Sequence, residues 1–241
     1  MQRETISMMT LPEQILYEDN HLIILNKQAG QIVQSDKTED PCMSDDIKAF
    51  LKERDHKPGN VFCGTVHRLD RPVSGVVIFA KTDKALSRMN EIIKKRLIKK
   101  TYWAITKKAP KAPQGHLQHW LLRNEAQNKT YVVGANTDGA KEAELNYRVI
   151  SKSQGGYYLI EVDLVSGRHH QIRAQLAHVG CPIRGDLKYG YPRSNSDGGI
   201  SLHSRSVTFE HPVRHEMLTV TAPTPDDKMW SIFPIANGAS L

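Results

Sequence analysis

The sequence predicts an α+β fold built on a mixed or antiparallel sheet. Three observations point there. Stretches of strand character outnumber helical ones. They come in runs rather than alternating strictly with helices. Adjacent apolar stretches are joined by short Gly-containing turns, which is hairpin grammar. With 241 residues and 39% hydrophobic content, the chain can bury a sizeable core as one large domain or two small ones. No internal repeat or linker divides it.

The elements follow in order. "HLIILNK" (21–27) is a strand halted by the turn signal "QAG". "SDDIKAFLKER" (44–54) is a short helix with Ser44 placed as N-cap. "GVVIFA" is a continuous apolar run of strand length, hence a central strand. From Thr82 a helix is predicted, because Ala85, Leu86, Met89, Ile92, Ile93 and Leu97 recur at helical spacing. Its other face is basic and leads into the strand "TYWAIT". "KAPKAPQ" is broken by proline, and the stretch from there to about residue 136 is predicted as an excursion, a hairpin in form, standing out from the core. "EAELNYRVIS" and "YYLIEVDLVS" form a hairpin across "QGG". "GRHHQIRAQLAHVG" holds a short helix ended by Gly180, and "SLHSRSVTFEHP" with "MLTVTAP" makes a last strand pair.

Lys+Arg number 33 against 26 Asp+Glu, a net charge of +7. That balance suits a polyanion such as nucleic acid, although it equally serves solubility. Three cysteines, widely spaced and without CxxC, argue against a disulfide framework or structural zinc and for a reducing compartment. The N-terminus lacks a signal-peptide core, and no apolar run is long enough to span a bilayer, so a cytoplasmic location without membrane contact is expected.

Eleven histidines raise the question of metal, but no HExxH or paired carboxylate set accompanies them. Adjacent His169 and His170 would point apart on a helix. No metal site is expected. Neither a P-loop nor a strand-linked GxGxxG is present. Two charged clusters remain: "HRLDRPVSG", which sets Asp70 in a Pro-Gly turn among basic groups, and "GRHHQIR", which supplies Arg168 and Arg173. An arginine against Asp70 would keep the acid ionised and fixed. Alone, the Asp70 cluster reads as a plain turn before it reads as a catalytic site, and the arginine cluster has a structural ion pair as its rival.

Taken together, "LYEDNHLIILNKQAGQIV", "HRLDRPVSGVVIFAKT", "KKTYWAI", "GRHHQIRAQLAHVGCPIRGDLKYG" and "LHSRSVTFEHPV" resemble, in order along the chain, five motifs of the RluA-type pseudouridine synthases. The resemblance runs from about Leu16 to Val220. It implies one catalytic domain over residues 16–241, preceded by an N-terminal extension, 1–15. The implied fold is a long mixed, mainly antiparallel sheet flanked by helices and loops. The implied activity is conversion of uridine to pseudouridine in RNA, without cofactor or metal. Asp70 corresponds to the family's essential aspartate, Tyr102 to the tyrosine under the target base, and Arg173 to the arginine that holds the aspartate. Arg68 corresponds to the arginine that fills the gap left by a flipped nucleotide. His67, Arg168 and Gln171 join Arg68 as candidate substrate-binding residues.

The sequence departs from the family at Val73 and His169, where threonine is usual, at Gln28 in "NKQAG" and at Gln175. A match starting near Leu16 leaves no room for the small alpha-L RNA-binding domain of many relatives. The basic helix at 84–100 and the excursion at 108–136 are therefore the candidate RNA grips. The expected partner is RNA, large-subunit ribosomal RNA first and transfer RNA second, with no obligate protein partner and a monomeric state. The alternatives are an RNA-binding or ribosome-assembly factor without catalysis, and a metal-dependent nuclease.

Overall fold

The computed structural model describes residues 9–35 and 40–237. A single turn of helix, α1 (Leu11–Gln14), opens the chain, followed by β1 (Ile15–Glu18), β2 (Leu22–Lys27) and helix α2 (Met43–Arg54). Then come β3 (Gly64–Thr65), β4 (Ser74–Ala80), helix α3 (Asp83–Lys94) and β5 (Lys99–Thr106). Four strands follow: β6 (Gln114–Asn124), β7 (Lys129–Val133), β8 (Lys141–Lys152) and β9 (Tyr158–Leu164). Helix α4 (Gln171–His178), β10 (Leu202–Glu210), β11 (Met217–Thr221) and a turn of helix, α5 (Lys228–Ser231), complete the order.

The eleven strands among the described residues make one sheet, ordered β1-β2-β4-β10-β5-β9-β8-β6-β7, with β3 on β4 and β11 on β10. Among the described residues only β4 and β10 pair in parallel, through His203 opposite Ser74 and Ser204 opposite Gly75. The sheet is thus mixed and mainly antiparallel, as predicted. The all-apolar "GVVIFA" lies inside it with every residue buried, because alternate residues meet different helices. Val76 and Ile78 pack with Ala85 and Met89 of α3, while Val77 and Phe79 pack with Met43, Ile47 and Leu51 of α2. At the other end α4 sends Ile172 and Leu176 onto Tyr102, Ala104 and Ile160, while Trp230 and Phe233 cover Trp103, Ile105 and Leu159 on the back.

A bulge decides which helices share a face. In β10, Ser204 lies opposite Tyr102 but Ser206 lies opposite Thr101, so Arg205 is an extra residue. The alternation shifts by one there. Leu202 and Val207 consequently face the same side, and so do their clusters with α4 and α3. The two helices stand on one face of the sheet, with β5 running between them.

Three expectations need correction. Ser44 is not an N-cap: the helix begins at Met43 with Cys42 as cap residue, and Ser44 is buried in the first turn. Leu97 is 63% exposed and outside the apolar face, because α3 ends at Lys94 and the chain turns left-handed at Arg96. The excursion does not stand away from the core. It is the β6–β7 hairpin, and β6 pairs with β8 from Gln114 to Leu121, which makes it part of the sheet. Its tip folds back, with Thr130 N–H donating to the Tyr189 hydroxyl at 2.8 Å and Lys188 Nζ donating to the Asn128 carbonyl at 3.0 Å.

Candidate active site

The Asp70 loop is held by its carbonyls. Val73 N–H donates to the Asp70 carbonyl at 3.0 Å, which closes the predicted turn. Gly30 N–H donates to the Arg71 carbonyl at 2.8 Å, and Ile200 N–H to that of Pro72 at 3.0 Å. Lys27, fully buried at the end of β2, places Nζ within hydrogen-bond reach of the carbonyls of Gln28, Asp70, Arg71 and Val73 at 2.6–3.3 Å. Burial pulls its amine down to about 7, against the opposing pull of the Asp70 charge. Gly75 allows the loop to run into β4: at φ 109° its backbone lies so close to Ser204 that a Cβ would sit 2.3 Å from the Ser204 carbonyl oxygen.

Arg173, on the first turn of α4, reaches Asp70 with Nη1 at 2.9 Å. Its other donors form a fork onto Asp186, Nε at 2.7 Å and Nη2 at 2.9 Å. Asp186 is 1% exposed and Arg173 5%, whereas the Asp70 side chain is 27% exposed. Burial works against the Arg173 charge, but the bonds to Asp186 and the charges of both carboxylates outweigh it and raise its pKa. The pairing leaves one carboxylate buried and structural, the other fixed yet open to solvent.

His170 faces the same acid, with Nε2 3.4 Å from Asp70 Oδ2. Burial lowers its pKa to about 3, opposed by Asp70 and helped by Arg173, so the ring is neutral near pH 7. Its Nδ1 lies 2.9 Å from the Tyr189 hydroxyl, and the His169 ring stacks on it at 3.8 Å. Tyr102 closes the floor. It is 6% exposed, and burial raises its hydroxyl to about 12, with Asp70 adding to the shift.

These groups surround one cavity. Asp70, Tyr102, Arg173, Arg68, Arg168 and Gln171 all line it, and Leu164, Ile172 and Leu202 supply its apolar wall. Arg68 stands exposed at the rim. Gln171 reaches the wall, but its amide is engaged: Oε1 accepts from Ser166 and from Arg168 N–H, and Nε2 donates to the Glu144 carbonyl. Arg168 Nε donates to the Glu142 carbonyl. His67 does not line the cavity; its Nε2 accepts from Ile78 N–H at 3.3 Å, which turns the ring toward β4. Sequence reasoning passed over Lys27, His170, Tyr189 and the tie between Asp186 and Asp70. Lys27 alone left a visible signal, a lysine closing a strand that opens on four apolar residues. Among the described residues no group of three His, Cys, Asp or Glu can hold a metal ion. No helix among them is long and apolar enough to cross a membrane.

A family profile described as RNA pseudouridylate synthase matches residues 21–178, which span β2 through α4 and hence Asp70, Tyr102 and Arg173. The chain belongs to the RNA pseudouridylate synthase family. It is 32% identical over 218 residues to an uncharacterized RNA pseudouridine synthase of Synechocystis, covering 89% of this chain and 66% of that one. It is 30% identical over 221 residues to ribosomal large subunit pseudouridine synthase C of Escherichia coli K12, covering 88% of this chain and 67% of that one. The chain thus spans about two thirds of the length of these relatives. Among solved structures, human RNA pseudouridylate synthase domain containing 4 superposes with a TM-score of 0.74 at 25% identity, covering 90% of both chains. Human RNA pseudouridylate synthase domain containing 1, with a TM-score of 0.67 at 20% identity, shares the fold.

Proposed function

We propose that this chain is an RNA pseudouridine synthase acting on uridines in structured RNA, with large-subunit ribosomal RNA as the first substrate class and transfer RNA as the second. The observation that carries the reading is the Asp70 carboxylate, oriented by Arg173 and open to a cavity floored by Tyr102. Family membership and relatives named for the large ribosomal subunit support it.

The reaction breaks the bond from carbon 1′ of the ribose to nitrogen 1 of uracil, turns the base, joins carbon 5 to the same sugar, and then releases the proton of carbon 5 while nitrogen 1 takes one up. Nothing is consumed, so one carboxylate acting at the ribose suffices and no cofactor or metal is required. The nucleotide must leave its stack to enter the cavity, at a cost of a few kcal/mol. In this reading Arg68, exposed at the rim, fills the gap with its guanidinium plane, and the Tyr102 ring packs beneath the base. The apolar wall keeps the detached uracil from escaping. Arg168 and Gln171 shape the opposite side, and His67 braces the loop from behind. His170 is neutral, so it adds no charge that would compete with Arg173 for Asp70. The domain works in this reading as one unit over residues 16–241, as a monomer in the cytoplasm.

A pseudouridine map of ribosomal and transfer RNA, with and without the gene, tests the proposal. Loss of a discrete site, restored by the wild-type gene and not by Asp70→Asn, is the expected result. A map that loses no site in either RNA contradicts the assigned substrates.

A further inference from the structure

Lys100 is a half-buried cation that, among the described residues, has neither a hydrogen bond nor an ion pair. Its neighbours on β5 differ: Lys99 pairs with Asp163 at 3.7 Å, and Thr101 donates to the same acid. Those two belong to the other side of the strand. Lys100 shares its face with Tyr102, two residues or about 7 Å along. Its cross-strand partners are Val207 of β10 and Leu164 of β9. Val207 belongs to the cluster under α3, and Leu164 lines the Asp70 cavity. Lys100 therefore stands on the seam between the two apolar clusters, one strand-width from the cavity wall. Its charge is felt by His67, the residue preceding Arg68.

An ammonium taken partly out of water without a partner destabilises the fold that holds it. Asp70 does not answer it, being bound to Arg173, and Asp163 points to the opposite side with Lys99 and Thr101. The rim beside it carries another free-standing cation, Arg68. We infer that Lys100 is the receptor for a backbone phosphate of the RNA, one adjoining the nucleotide that enters the cavity. Lysine suits this role as a point charge on a flexible stem, reaching past Leu164 to the sugar-phosphate chain while the base lies on Tyr102. The inference rests on the RNA reading given above.

The test compares wild type, Lys100→Met, Lys100→Gln and Lys100→Arg. Binding to deproteinised large-subunit ribosomal RNA is measured across a salt series, together with thermal midpoints. If one phosphate contact is lost, Lys100→Met and Lys100→Gln reduce affinity by about 3- to 10-fold at low salt and flatten the log–log salt slope by about 0.7–0.9. Lys100→Arg keeps the slope. The thermal midpoint of Lys100→Met stays level or rises, because an unpaired cation has been removed. In turnover the loss falls on KM with kcat unchanged. An unchanged slope in both uncharged variants, or a fall in midpoint with wild-type binding, overturns the assignment and makes Lys100 structural. If wild type shows no salt-dependent RNA binding at all, the RNA reading fails first and the assignment with it.

Discussion

The arginine fork between two carboxylates can be taken apart by a double-mutant cycle. Arg173→Met removes three charge-assisted hydrogen bonds, two to Asp186 and one to Asp70. Asp70 is open enough to be solvated instead. Asp186 is 1% exposed and, once stranded, is a buried carboxyl without its partner. Breaking such a pair from one side costs about 3–5 kcal/mol. Asp186→Leu strands Arg173 less completely, because Asp70 still accepts from Nη1, and about 2–4 kcal/mol is expected. The double variant, Arg173→Met with Asp186→Leu, replaces the pair by apolar side chains of similar volume and should lose much less than the sum of the singles. Urea unfolding of the four proteins near pH 7 gives the coupling, expected at about 2 kcal/mol or more. Additivity within about 0.5 kcal/mol would refute the view that Asp186 exists to hold Arg173. Activity separates the roles further: the double variant regains stability yet stays inactive, since Asp70 has lost its orienting partner.

Acid should weaken the fold in a defined window. His203 is fully buried between Ser74 and the Ala222 carbonyl, and burial lowers its pKa to about 3. The unfolded chain takes up this proton near pH 6.5 and the folded chain does not, so His203 alone lowers stability as pH drops from about 6.5 toward 3, by up to about 1.4 kcal/mol per pH unit, and His67 and His170, which burial also lowers to about 3, add to the fall. Urea unfolding between pH 6.5 and 4.5 should show this slope, and His203→Gln should lessen it by about one proton; equal slopes would contradict the burial argument. Gly75→Ala places a Cβ against the Ser204 backbone at a left-handed φ and should cost about 1–3 kcal/mol in unfolding free energy. A wild-type midpoint would show that β4 and β10 can separate freely. Chelation by EDTA should leave pseudouridine formation unchanged, and loss of activity restored by a divalent metal would reopen the nuclease alternative.

Much of this site was legible in the sequence because its groups sit in short, strongly patterned segments. Asp70 comes with Pro72 and Gly75, which write the turn in residues that admit few other conformations. Arg173 comes in a charged cluster next to an apolar helix face. What lay hidden depends on contacts between segments far apart in the chain. Lys27 reads as the polar end of a strand, and only the fold reveals that it gathers carbonyls from a loop some forty residues on. The tie from Asp186 through Arg173 to Asp70 spans three segments and has no local pattern. His170 looked unsuited to a shared site because helical neighbours point apart, but it precedes the helix in a left-handed turn at φ 51°, which lets its ring stack on that of His169. The sheet edge was misjudged for a related reason. "KAPKAPQ" does interrupt the structure, but the His- and Asn-rich stretch after it pairs through its backbone, which composition does not report.

The most direct measurement is uridine-to-pseudouridine conversion in deproteinised large-subunit ribosomal RNA by purified wild type and Asp70→Asn, with RNA binding measured on the same samples. Asp70→Asn keeps the shape of the side chain and removes only the charge that Arg173 orients. Conversion by wild type, none by Asp70→Asn, and equal binding by both is the expected result. Conversion by Asp70→Asn at the wild-type rate would contradict the assignment of Asp70 as the carboxylate that acts on the sugar.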